Sequence, residues 1–138
     1  MWPRVNGMRT MELGTEGRLR DRLNALVLSG EKRATTGLLQ EYVNETEGLE
    51  FVGERLALLD NSGRQQATIE ITAVRVLPLD QVPWSHAQAE GEGDPTLEAW
   101  RTVHESFWTK IGTPAQPDTP VVCLSFRLLA EEEPGEAA

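Results

Sequence analysis

The chain has 138 residues, 39% of them apolar, and a formal net charge of −9. That length supports one domain around one core, and the single cysteine, Cys123, excludes an internal disulfide and a thiolate zinc site. The acid excess argues against a broadly basic nucleic-acid surface, and no stretch approaches the roughly 20 apolar residues of a membrane helix.

Met1 to Gly14 lacks the apolar segment of a signal peptide, so a cytoplasmic location is expected. Thr15 then reads as a helix N-cap with Glu16 in the first turn. Leu19, Leu23, Leu26 and Val27 follow at i, i+4, i+7 and i+8 as one apolar stripe. Gly30 ends this helix as its C′ residue, and the loop Gly30-Glu31-Lys32-Arg33-Ala34-Thr35-Thr36-Gly37 comes next. Gly37 to Val43 has helical spacing. Arg55 to Leu59 reads as a strand, Asp60-Asn61-Ser62-Gly63 as a turn, and Gln66 to Leu77 as a second strand rich in β-branched residues. Pro83 opens a short helix from Trp84 to about Glu90. Asp94 as N-cap and Pro95 as first residue start another, whose apolar face is Leu97, Trp100, Phe107, Trp108 and Ile111, with Val103 and His104 at its margin. Val121 to Leu129 closes the domain, with Val122, Leu124, Phe126 and Leu128 on one face and Val121, Cys123, Ser125 and Arg127 on the other. Residues 1–129 form one domain, and the acid-rich 130–138 reads as a disordered tail.

The glycine-bounded loop concentrates chemistry. Its plain reading is a helix C-terminus favouring cations, followed by threonines entering a strand. Its functional reading makes Lys32 a point charge or base and Thr35 or Thr36 a donor, acceptor or nucleophile. Lys32 is expected as an exposed loop lysine of little weight for stability, and in the functional reading it faces the same cavity as Glu92. Glu90 and Glu92 lie in a glycine-interrupted segment, either as solvated charge or as carboxylates turned into a cavity. His86 and His104 belong to different segments and read as packed or solvated residues. His86 and Glu90 at i, i+4 lack a third ligand, so no metal is expected. Trp100 and Trp108 share a helix stripe and read as core, whereas Trp2 and Trp84 are free to stack on a base. Seven cations precede residue 34, which gives that stretch +3 and leaves −12 for the remainder. One positive edge on an acidic body suits a short polyanion or a single nucleotide.

Helix-Gly-x-Lys-x-x-Thr, with Gly53-Glu54-Arg55 opening a strand downstream, resembles the ASCH (activating signal cointegrator homology) domains. The likeness runs from Leu13 to Leu129 and is nearest to bacterial stand-alone members, through Ser85-His86-Ala87-Gln88-Ala89-Glu90-Gly91-Glu92 and the Trp-containing helix from Thr96 to Ile111. In the wider family the loop is Gly-x-Lys-x-x-Glu-x-Arg; here Thr35 and Gly37 fill the last two places. The resemblance implies an α+β fold, a small PUA-like antiparallel β-barrel with helices at its rim. Members acting on nucleosides hydrolyse the acyl amide of N4-acetylated cytosine with a lysine, a threonine and a glutamate, which implies Lys32, Thr35 and Glu92, with Glu90 in the same matching stretch. A second branch cleaves RNA with a lysine, a tyrosine and a serine; Lys32 and Ser125 match, and Tyr42, the only tyrosine, has no aligned counterpart.

A cofactor-free cleft is therefore expected, with Lys32, Thr35 and Glu92 catalytic and Arg33, Thr36, Glu90, Ser125 and Arg127 contacting the ligand. The ligand is a nucleoside, nucleotide or short single-stranded RNA, and no membrane is involved. The activity is hydrolysis of a modified nucleoside or of RNA; the alternative is a non-catalytic RNA-binding or ligand-sensing module.

Overall fold

Six strands form one mixed sheet in the order β1-β2-β4-β5-β6-β3. In the computed structural model, which describes residues 1–129, these are β1 (Arg4–Val5), β2 (Met8–Met11), β3 (Ala34–Leu38), β4 (Arg55–Leu59), β5 (Gln65–Pro78) and β6 (Pro120–Leu128). Helices α1 (Arg18–Leu28), α2 (Trp84–Ala89) and α3 (Leu97–Lys110) complete the α+β fold. None is long and apolar enough to cross a membrane. The acidic tail read for 130–138 lies outside the described residues.

The long strand β5 organises the sheet. It pairs with β4 and then, past a register shift between Ile71 and Ala73, continues along β6 to Pro78. Such an irregularity bends and twists a strand, so one strand serves both halves. Four of the pairings are antiparallel; β2 and β4 run parallel, because the chain between them crosses over through α1 and β3. The sheet therefore differs from a fully antiparallel closed barrel: among the described residues β1 and β3 remain its two edges.

Both sheet faces are buried, which is why β6 is apolar at nearly every position. Val122, Leu124 and Phe126 join Leu23 and Val27 of α1 in one core cluster, and Val121 and Cys123 join Trp100 and Trp108 of α3 in the other.

Two helix starts differ from the sequence expectation. The N-cap of α1 is Gly17, not Thr15, because the Asn61 side chain reaches across to accept from Gly17 N at 2.7 Å and to donate to Gly17 O at 3.0 Å. The N-cap of α3 is Thr96, whose hydroxyl accepts from Ala99 N at 3.0 Å, and Asp94 and Pro95 stay in the preceding loop. The segment read as a helix from Gly37 is the end of β3 followed by a single 3-10 turn, Leu39–Tyr42. At the other end of α1, Gly30 takes φ +83° and Lys32 N donates to Leu26 O at 3.0 Å, turning the chain into β3.

Leu23 is 6% exposed at the centre of the α1 stripe. Leu23→Ala is expected to cost about 2–5 kcal/mol in denaturant unfolding; a loss below about 0.5 kcal/mol would mean that α1 does not seal this core.

Candidate active site

Two backbone segments cross at the end of α2. Arg33 N donates to Ala89 O at 2.7 Å. Gly91, at φ +69°, passes so close that a Cβ there would stand 2.1 Å from Glu31 O. Only glycine fits this crossing. It sets Glu90 and Glu92 around Lys32, whose Nζ donates to Glu92 Oε2 at 2.9 Å and to Glu90 Oε1 at 3.5 Å. Lys32 is not an exposed loop residue: the turn after Gly30 sends it inward, leaving it 2% exposed.

Glu90, 1% exposed, is the hub. Thr36 Oγ1 of β3 donates to its Oε2 at 2.6 Å, and His104 Nε2 of α3 lies 3.2 Å from its Oε1. His86 Nε2, one helical turn back, is 3.5 Å from Oε2 and 2.8 Å from Thr36 Oγ1. Burial alone would push the Glu90 carboxyl up, but the hydrogen bond from His104 and the Lys32 charge hold it well below the usual carboxylate range. For His104, burial would favour the neutral ring, yet the hydrogen bond and charge of Glu90 outweigh it and raise its pKa. The geometry agrees. His104 Nδ1 faces the Trp100 carbonyl at 2.9 Å while Nε2 faces an ionised carboxylate, and two acceptors require a proton on each nitrogen.

This cluster floors a cleft of about 160 Å³ walled by Leu13, Leu19, Val103, Phe107 and Trp108. The cleft opens into a groove of about 390 Å³ lying between β2 and β3, the two strands left unpaired to each other. Thr35 and Thr36 line both spaces. Trp2 and Tyr42 line the groove with ring centroids 4.7 Å apart, and the Tyr42 hydroxyl donates to Glu50 Oε1 at 2.7 Å. Burial raises the Glu50 carboxyl above its ordinary range.

Lys32, Thr36, Glu90 and Glu92 thus meet in one site, with Thr35 at its wall. Among the described residues no hydrogen bond to a protein group uses the Thr35 hydroxyl, and it is Thr36 that bonds to Glu90. Three expected ligand contacts lie elsewhere. Arg33 is exposed and lines neither space, since strand alternation turns it away from Lys32. Ser125 lines a separate cavity beside α2, and Arg127 is exposed and salt-bridged to Glu70 at 3.1 Å. His86 and His104, read as packed or solvated, both converge on Glu90. The legible signal was spacing: His86 is four residues before Glu90, and His104 lies midway between Trp100 and Trp108 on the buried stripe of α3. Among the described residues no group of three His, Cys, Asp or Glu side chains has the arrangement to hold a metal ion.

The ASCH domain description matches residues 9–130 of this chain. Among solved structures, a protein of Enterococcus faecalis V583 has a TM-score of 0.74 and 33% identity, over 86% of this chain and 74% of that one. An ASCH domain from Lactobacillus crispatus JV V101 has a TM-score of 0.73 and 28% identity, over 86% and 77% of the two chains. A hypothetical protein with 13% identity and a TM-score of 0.55 shares the fold alone. No curated protein sequence matches the chain.

The crossing and the buried charges each give a test. Gly91→Ala should unfold or strongly destabilise the protein, whereas Gly93→Ala, where a Cβ meets open space, should cost only the strain of its positive φ; equal melting temperatures would remove the crossing from the argument. His104 has a raised folded pKa, so its contribution is complete below its ordinary 6.5 and is lost as pH rises through the folded value. Glu90 acts in the opposite sense, contributing above its ordinary 4.5 and losing that as pH falls through its lowered folded value. Melting temperature should therefore be highest in the mildly acidic window between those values. His104→Gln should flatten the decline on the alkaline side; parallel curves would show that His104 and Glu90 are not paired.

Proposed function

The chain belongs to the ASCH-domain family, a family linked to RNA binding, and we propose that it is a metal-independent hydrolase of a small modified nucleoside, of the N4-acylcytidine amide type. The observation that carries this reading is the Lys32 ammonium held between Glu90 and Glu92 at the floor of an apolar cleft. An amide carbonyl directed at Lys32 Nζ has the charge developing on its oxygen met by a fixed cation in a dry site. Glu90 takes the proton from the attacking water, or from Thr35, whose acyl ester a water then hydrolyses, and the departing exocyclic nitrogen is protonated as the C–N bond breaks. Water is thereby added across the amide, giving a carboxylic acid and the free amino base.

Volume and charge support a small ligand. Alone, the cleft is below the usual ~300–1,000 Å³ of ligand sites, but together with the groove it accommodates a base below and a sugar above. The groove carries Glu12, Glu41 and Glu50 and no Lys, Arg or His, so a phosphate there meets only like charge. An RNA-binding module without turnover needs cations leading out of the cleft. Of the seven N-terminal cations, Arg4, Arg9, Arg20 and Lys32 are each salt-bridged to a glutamate.

The test incubates the protein with N4-acetylcytidine and, separately, with short single-stranded RNA, and identifies products by mass spectrometry. Cytidine and acetate are expected, with the RNA intact. Lys32→Gln and Glu90→Gln should each lower kcat by about 10²–10³, with circular dichroism confirming that these buried substitutions leave a folded protein. Unchanged N4-acetylcytidine, or full activity in both variants, would overturn the reading.

A further inference from the structure

The two oxygens of Glu90 face different surroundings. Oε1 faces Lys32 and His104, on the cleft side, whereas Oε2 accepts from Thr36. Thr36 has one hydroxyl proton and two close partners, Glu90 Oε2 at 2.6 Å and His86 Nε2 at 2.8 Å. An ionised carboxylate only accepts, so the Thr36 proton goes to Glu90, and the hydroxyl oxygen must accept from an Nε2–H of His86. A neutral His86 ring then keeps Nδ1 as a lone pair. Among the described residues Nδ1 has no protein partner, and it is not among the sealed, unpartnered atoms, so it reaches open space. His86 also lines a second cavity of about 280 Å³ between α2 and the sheet, together with Arg75, Ser85, Cys123 and Ser125. It shares no lining residue with the Lys32 cleft.

We propose that His86 and Thr36 form a proton relay that connects the far oxygen of Glu90 to solvent in the second cavity. A proton from water binds His86 Nδ1, the Nε2 proton passes to Thr36 Oγ1, and the Thr36 proton passes to Glu90 Oε2. One proton is taken up and one is delivered, leaving the ring as its neutral Nδ1–H tautomer; the same hops in reverse reset it. The use of this relay rests on the hydrolytic reading above: the delivered proton is the one Glu90 gives to the departing nitrogen, and the reversed hops carry out the proton that Glu90 takes from the attacking hydroxyl. Its geometry does not depend on that reading. Neither residue needs to touch the scissile bond; both act through Glu90. The groups facing His86 are Thr36 from β3, Glu90 at the end of α2, the edge of Trp100 from α3, and Arg75 and Cys123 across the second cavity.

The experiment has a substrate-free arm and a kinetic arm. In long-range proton–nitrogen NMR of the full chain, His86 is expected as the Nε2–H tautomer when neutral, with its Nε2–H resonance shifted in Thr36→Val; an Nδ1–H tautomer in the wild type would overturn the relay. With N4-acetylcytidine, Thr36→Val should lower kcat by about 10²-fold with KM within about twofold, and Thr36→Ser should restore it. His86→Ala, which extends the second cavity, should regain activity with added imidazole, a response that a purely structural histidine does not give. Full kcat in Thr36→Val, or no rescue of a folded His86→Ala by imidazole, would reject the relay. A wild type inactive on the substrate would overturn the hydrolytic reading instead, and the relay would then stand or fall on the tautomer and its Thr36→Val response.

Discussion

The burial of Lys32 against Glu90 is the interaction on which the other parts of the structure depend. Removing a lysine and a carboxylate from water costs several kcal/mol per ion, and a single contact does not repay it. Here the ammonium has two carboxylates, and Glu90 has hydrogen-bond partners on both of its oxygens. These partners come from the loop after α1, from β3, from the end of α2 and from the middle of α3, so the cluster ties four elements to one point. It exists only because Gly91 lets the Glu31 backbone approach to a distance that no side chain tolerates. Removing one member leaves a buried charge uncompensated, so the residues of the site are also residues of the fold.

The second constraint is the sheet's open seam. β3 is held only to β6, and β2, paired to β4, is covered by β1 only at Met8 and Arg9, which leaves the β3 edge and Thr10–Met11 facing the groove. Exposed strand edges invite unwanted pairing. This seam is instead flanked by Phe107 and Trp108 of α3 and by Trp2 of the N-terminal segment. The cleft thus lies where closure by hydrogen bonds fails, and the threonines on the β3 edge are presented to it by the same geometry that leaves the edge free.

Local patterns were legible and long-range convergence was not. The Leu19, Leu23, Leu26 and Val27 stripe, the strand Arg55–Leu59, and the alternation of Val121 to Phe126 each follow from a period of 3.6 or 2 residues, and the structure keeps them. The Lys32 loop and the Glu90–Glu92 stretch stood out because glycines frame charges there. The start of α1 is not legible locally because Asn61, whose side chain fixes Gly17 there, lies 44 positions away. The burial of Lys32 is hidden from the sequence because a lysine beyond a helix end is ordinarily solvated, and only the crossing at Gly91 reverses that. The choice between Thr35 and Thr36 depends on which face of β3 meets α2. His104 stands at the margin of a stripe, and its partner Glu90 arrives from another helix. In each case the missing term was a contact between segments distant in sequence, which no local period encodes.

The basic N-terminal third illustrates the same point for charge. Read along the chain, seven cations suggest a positive edge for a polyanion. In the fold, Arg9 is buried, with Nε and Nη2 donating to the two Glu54 oxygens at 3.0 and 2.9 Å and Nη1 donating to Gly48 O. Arg4 bridges Glu45 and Glu47. These ion pairs pin the long connection from Leu39 to Glu54 onto β1 and β2, and so build the wall of the groove that carries Tyr42 and Glu50. Four of the seven cations are paired to glutamates, and the groove they help to shape has an acidic lining that disfavours phosphate. Charge counted along the sequence suggests a polyanion; charge paired in space leaves a groove lined by Glu12, Glu41 and Glu50, which supports the proposed ligand without a phosphate.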